Sequence, residues 1–208
     1  MKQTMRRRGE LIAAAACLLV VCGCGAARPV RYYTLEQPPA SADAPASQPY
    51  AVSLLVARVR STQLLEGDRI VYGMNPVEMG VYHSHRWAEP PPAMIETMLI
   101  ERLRATGQYK SVQPLAGAAR GNYVVHGRLI SLEEMDGPSG VVARFAMELE
   151  LFDPKTGTVV WSQTYSHDDP VQNKTVNDVV EALQRNAETG LGQLVAGLGQ
   201  YFSSHPVQ

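Results

Sequence analysis

Cysteine is almost missing from this chain: its 208 residues include three, at positions 17, 22 and 24, and none beyond. A disulfide framework and a cysteine metal cluster are thereby excluded from everything after residue 24. Also missing beyond that point is any apolar run approaching the roughly 18 residues that a membrane-spanning helix needs. Positive charge has no excess: 19 lysines and arginines stand against 20 aspartates and glutamates and, from Arg58 to Arg185, lie scattered among them. Nucleic acid, which selects a basic stripe or patch, is therefore not an expected partner. The chain contains no Gly-x-Ser-x-Gly nucleophile elbow, no phosphate-binding glycine loop and no dinucleotide glycine fingerprint. Acyl-transfer, ATP and NAD chemistry have no motif to rest on, and no catalytic residue, metal ligand set or cofactor is assigned.

What the chain does carry begins at its N-terminus. Arg6, Arg7 and Arg8 precede an apolar run from Leu11 to Val21, which Cys22, Gly23 and Cys24 close. Eleven residues are too few to cross a hydrocarbon core of ~30 Å, so the run reads as a temporary export signal. It looks like a bacterial lipoprotein signal: aliphatic Val21 lies three places before Cys24 and small Gly23 immediately before it. Cys22 fits less well because bulky Val21 precedes it. Residues 1–23 are accordingly read as a signal peptide, and Cys24 as the lipidated residue bearing a diacylglycerol and an N-acyl chain such as palmitate. That lipid, not a protein span, is the expected membrane attachment. Gly25 in the next position resembles outer-membrane sorting, which points to the periplasmic face of the outer membrane. Loss of the signal removes Lys2, Arg6, Arg7, Arg8 and Glu10, leaving 185 residues of net charge −4, a length suited to one domain.

Residues 24–49 divide into the anchor, an aromatic and β-branched run from Pro29 to Leu35, and a linker containing Pro38, Pro39, Pro45 and Pro49. The folded body is expected over 50–208. Alternation predicts a strand over 51–59, and Ile70–Gly73 and Val77–Trp87 read as a hairpin about Asn75 and Pro76. Pro90, Pro91 and Pro92 stop the strand and precondition a helix start. Met94, Ile95, Met98, Leu99 and Leu103 then carry a helix from about Ala93 to Thr106, which Gly107 ends. Further strands are expected at 109–113, 123–132, 141–152 and 158–165, the last three as a meander with turns at 136–140 and 153–157. A closing helix starts at Thr175, with Asp178 completing a cap, and keeps Val179, Leu183, Leu191, Leu194 and Leu198 on one face. Gly190, Gly192, Gly197 and Gly199 each cost that helix ~1 kcal/mol against alanine, so it kinks, frays or packs unusually close to something. The pattern is α/β: a single domain whose mixed, largely antiparallel sheet is flanked by helices.

Side chains that could do chemistry are few. His83 and His85 flank Ser84 in a strand, where alternation puts both imidazoles on one face, and a third metal ligand would have to come from His126, His167 or the pair Asp168 and Asp169. The two aspartates precede Pro170, and their composition reads as a solvated turn. Tyr32, Tyr33, Tyr72, Tyr82 and Trp87 are the aromatics that could serve as core or as an interface. For Tyr72 and Trp87 the core is favoured. For Tyr32 and Tyr33, docking onto a neighbour and pairing at a sheet edge stand level.

Tyr32-Tyr33-Thr34-Leu35, Gly67-Asp68-Arg69-Ile70-Val71-Tyr72 and Arg86-Trp87-Ala88-Glu89-Pro90 occur in an order that resembles the ABC-type transport auxiliary lipoproteins, which include the PqiC-like lipoproteins of MCE-type lipid transport systems. The resemblance covers most of the chain after the signal. It implies a fold similar to the TolB N-terminal or anticodon-binding-like fold. It also implies a non-enzymatic, lipid-anchored periplasmic component that works with an MCE-domain protein and an ABC transporter on lipids or other hydrophobic molecules. Tyr32, Tyr33, Trp87, Glu89 and Pro90 become candidate partner contacts, and a homo-oligomer matching an MCE ring becomes an expected assembly. Two alternatives stand beside it: a periplasmic metal-dependent hydrolase using His83 and His85, and a lipid-binding carrier.

Overall fold

Alternation of apolar and polar residues over Val141 to Leu151, broken by Val142 and Ala146, places Ala143, Phe145, Met147, Leu149 and Leu151 on one face of a strand, and that face is fully buried. Around it the computed structural model describes residues 29–36, 50–75, 77–117, 119–137 and 140–206; the signal segment, Cys24 and the proline-rich linker lie outside the described residues. Among the described residues the chain forms nine strands: β1 (Arg31–Tyr33), β2 (Tyr50–Val56), β3 (Arg60–Ser61), β4 (Arg69–Asn75), β5 (Glu78–Trp87), β6 (Tyr109–Pro114), β7 (Tyr123–Gly137), β8 (Gly140–Asp153) and β9 (Thr158–Pro170). Two α-helices accompany them, α1 (Pro91–Ala105) and α2 (Val176–Ser204).

All nine strands belong to one mixed sheet. Its long ladders are antiparallel and local, β4 with β5, β7 with β8 and β8 with β9. Five parallel pairings, β1 with β5, β2 with β6 and β7, and β3 and β4 with β7, join segments distant in sequence. β7 is therefore the hub, and the path across the sheet runs β1, β5, β4, β7, with β8 and β9 following from the other side of β7.

The two helices cover one face. Pro91 and Pro92 occupy the first turn of α1, whose missing N–H groups cost nothing there, and Gly107 takes the left-handed φ of 62° just past its end. Thr175 caps α2, its hydroxyl oxygen accepting from the Asp178 N–H at 3.2 Å. Over its 29 residues α2 neither stops nor frays at the glycines. Gly190 shows why they are there: a Cβ at that position would lie 2.6–2.8 Å from ring carbons of Tyr165 and Phe145, so close packing is the outcome among the three expected. Leu183, Leu191, Leu194, Leu198 and Phe202 fill the space between α2 and the sheet.

Two sequence expectations are corrected. The strands of the meander run on through residues read as turns, β7 to Gly137 and β9 to Pro170, so Asp168 and Asp169 are strand residues rather than a solvated loop. The sheet also takes in β1, and Leu35 is buried in the core, so residues ahead of the proline-rich stretch pack on the body.

Candidate functional site

β1, the end of β5 and the start of α1 meet in one corner, and the cause is a register. Tyr32 stands opposite Arg86 and Tyr33 opposite Trp87 in a parallel pair, and the ladder continues as the Ala88 N–H donates to the Tyr33 carbonyl at 2.6 Å. Behind it Arg86 Nη1 donates to Asp68 Oδ2 at 2.7 Å, which holds the Asp68 carboxyl below its ordinary range. The Trp87 N–H donates to the Asp68 carbonyl at 2.6 Å. Both helices also hold this N-terminal segment: Tyr33 Oη donates to Asn177 Oδ1 at 2.9 Å, Thr34 reaches Met94, and Gln184 donates to the Glu36 carbonyl.

Of the expected contact residues, Tyr32 is 66% exposed, and Glu89 and Pro90 are exposed beside it. Tyr33 is half-buried, engaged by Asn177 and His85, and sheet-edge pairing is how the pair Tyr32 and Tyr33 is used. Trp87 is 1% exposed and belongs to the core, so it does not present its ring at this surface as a partner contact would. Its neighbours were legible as a corner, but whether the indole points in or out was decided by packing.

His83 and His85 do not form the paired ligands that alternation predicts. The β4–β5 register shifts between Arg69–Arg86 and Val71–Val81, and this irregularity spans both histidines. His85 packs between Tyr33 and Tyr82, with ring centroids at 5.8 and 5.6 Å, while His83 is exposed. Of the expected third ligands, His126 lies on β7 against Phe152, and His167, Asp168 and Asp169 lie on β9, four strand spacings of about 4.8 Å from β5 through β4, β7 and β8. There Asp168 receives a fork from Arg144, Nε to Oδ1 at 2.7 Å and Nη2 to Oδ2 at 2.8 Å, and Asp169 faces Arg185 at 3.4 Å. The Arg144 guanidinium holds the Asp168 carboxyl below its ordinary value. Among the described residues no group of three His, Cys, Asp or Glu is placed to hold a metal ion.

β9 separates two open polar hollows. One, about 570 Å³, lies against α2 and includes His167, Asp169, Arg185 and Asn186; the other, about 510 Å³, includes Ser131, Arg144 and Asp168. Asn186 is the functional-looking residue that sequence reading passed over. It is 2% exposed, donates through Nδ2 to the Ala143 and His167 carbonyls at 2.9 and 2.8 Å, and accepts from Tyr165 Oη at 2.9 Å. All its hydrogen-bonding groups act inside the molecule, so it clamps α2 to the sheet. An amide in the apolar stripe between Leu183 and Ala187 was the signal available for it.

The geometry thus offers a hydrogen-bonded N-terminal strap, an exposed aromatic and proline corner, and polar hollows along an edge strand. Such features recognise other surfaces. No helix among the described residues is long and apolar enough to cross a membrane.

The family model of the ABC-type transport auxiliary lipoprotein component matches residues 33–195. Among solved structures, protein XCC0632 from Xanthomonas campestris, of the domain family DUF330, is similar at 22% identity and a TM-score of 0.71, over 84% of this chain and 99% of that one. A second, uncharacterised protein of known crystal structure is similar at 14% identity and a TM-score of 0.64, over 82% and 99% of the two chains. A PelC dodecamer from Paraburkholderia phytofirmans shares 18% identity over 73% and 92%, at a TM-score of 0.46. At these identities the first two likenesses concern the fold. No curated protein matches the chain.

Proposed function

This chain belongs to the ABC-type transport auxiliary lipoprotein family, and from that membership we propose that it is a PqiC-like adaptor: acylated at Cys24, held at the periplasmic face of the outer membrane, and coupled to an MCE-domain protein and its ABC transporter. It handles no chemistry itself; lipids or other hydrophobic molecules pass through the complex that it helps to position. The match of the family model over residues 33–195 is the observation that carries this reading, because it starts inside β1 and spans the sheet, α1 and most of α2.

Geometry supports the adaptor role through the corner at Tyr32, Glu89 and Pro90. A short edge strand with an exposed tyrosine at its middle presents both a rigid ring and a backbone edge, which suits protein recognition. The test is site-specific photocrosslinking in intact cells, with the crosslinker at Tyr32 or Glu89. Adducts with an MCE-domain protein are expected, absent when the crosslinker replaces exposed Lys155 at the β8–β9 turn. Envelope-localised protein that yields no such adduct from either corner position would overturn the partnership. Light scattering of the solubilised lipoprotein checks the accompanying expectation of a homo-oligomer.

A further inference from the structure

Three of the eight exposed large apolar side chains among the described residues lie at the turn between β4 and β5. Met74 is 51% exposed, Val77 92% and Met79 38%. They stand at the end of an antiparallel pair in which Gly73 opposes Met79 and Asn75 opposes Glu78. The β7–β8 turn lies at the same end of the sheet, since Gly73 also pairs with Met135 just before Asp136 and Gly137. Charge at this end is not attractive to anionic headgroups: Glu78 accepts from Asn75 Nδ2 at 3.2 Å, and Asp136 faces Lys174 at 3.8 Å. An apolar tip is what remains: Met79 lies partly over Gly73, while Met74 and Val77 present most of their surface outward.

Chain geometry indicates what covers it. β1 runs parallel to β5 with Arg31 opposite His85, so towards its N-terminus the chain leaves the sheet in the direction of the β4–β5 turn. Seven residues separate Cys24 from Arg31, and seven separate Glu78 from His85. The first interval spans at most about 25 Å when fully extended, and the second about 23 Å along a strand. A lipid on Cys24 can therefore hold the bilayer no farther out in that direction than about the level of the turn, and any shorter path draws the bilayer nearer.

We propose that the β4–β5 turn is a second membrane contact, with Met74, Val77 and Met79 entering the interface of the bilayer that holds the acylated Cys24. This rests on the lipoprotein reading of Cys24. Several acyl chains on one cysteine anchor the chain stably but leave the domain free to tilt and rotate on its tether. An apolar tip seated in the same surface fixes the tilt of the sheet and directs the opposite end, with Lys155 and Val159, into the aqueous space. Because the contact is apolar, it is insensitive to salt.

The test uses the full lipoprotein purified from membranes, carrying Val77→Cys or Val159→Cys. Acylation of Cys24 leaves the introduced thiol as the one available to an environment-sensitive dye after signal removal. Each labelled protein is bound to vesicles of phosphatidylethanolamine and phosphatidylglycerol containing a lipid-borne quencher. Mass spectrometry for acyl groups on Cys24 and vesicle flotation report on the anchor independently. Expected are flotation of both variants, several-fold stronger lipid quenching at 77 than at 159, and no change when salt is raised. Flotation with equal quenching at the two positions overturns the turn contact and leaves the anchor standing. A label at 77 shielded from water but not reached by the lipid quencher overturns it in favour of a protein partner. An unacylated chain that fails to float overturns both readings.

Discussion

Asn186 shows how much a single polar side chain can matter inside an apolar interface. Its amide serves two sheet carbonyls and one tyrosine hydroxyl, so Asn186→Ala leaves buried groups without partners and should cost about 2–3 kcal/mol in chemical denaturation. A change within experimental error would mean that the clamp contributes nothing. Trp87→Ala removes the largest side chain of the core, and about 3–5 kcal/mol is expected from cavity formation; a nearly neutral variant would make the indole an interface residue instead. At Gly190 two effects oppose. Alanine favours the helix by ~1 kcal/mol, but its Cβ would stand 2.6–2.8 Å from the Tyr165 and Phe145 rings. Steric conflict should win, destabilising Gly190→Ala by about 1–3 kcal/mol, and a raised melting temperature would show that the rings yield. The glycine itself could be read from the sequence as an anomaly; the aromatic pair that demands it, 25 and 45 residues earlier, could not.

At the scale of elements, the Arg144–Asp168 fork ties β8 to β9 across their paired registers. The Asp168 carboxyl has a lowered pKa in the folded chain, chiefly through that hydrogen bond. Unfolded chains therefore take up this proton first as pH falls. The contribution is complete above the ordinary carboxylate value of 3.8 and is lost as pH drops from there through the lowered folded value. Asp168→Asn should accordingly be less stable than the parent at pH near neutral and converge on it in acid. Glu133, whose carboxyl burial pushes up, works in the opposite sense, so the difference between the two proteins, not the profile of either, is the measurement. A gap that persists unchanged into acid would contradict the assignment. Element identity was largely legible: the periodicity of α1 and α2, the proline start, the threonine cap and the antiparallel ladders all arise from neighbours within a few residues. Strand length was not, because β9 continues through Asp168 to Pro170 by pairing with Val142, Ala143 and Arg144 of β8, a ladder that the local composition before Pro170 does not announce.

For the whole molecule, the described core residues all lie beyond Cys24, the first being Leu35. Cys24→Ala should leave the melting transition of the body unchanged while abolishing acylation and retention in the membrane fraction; an unfolded variant would show that the anchor is part of the fold. What the sequence determined by itself follows from local rules. Two amphipathic helices, the antiparallel meander and the absence of known catalytic motifs are all patterns of adjacent residues, as are the residues from which a signal and a lipobox are expected. The tertiary structure alone decided that β1 docks in parallel on β5, that Trp87 turns inward, that the β4–β5 register slips beneath the two histidines, and that Asp168 and Asp169 lie strands away from them. Those outcomes depend on which of several similar edges and faces best fill a common core, and parallel pairing across long stretches of chain leaves no mark on the local alternation of either partner.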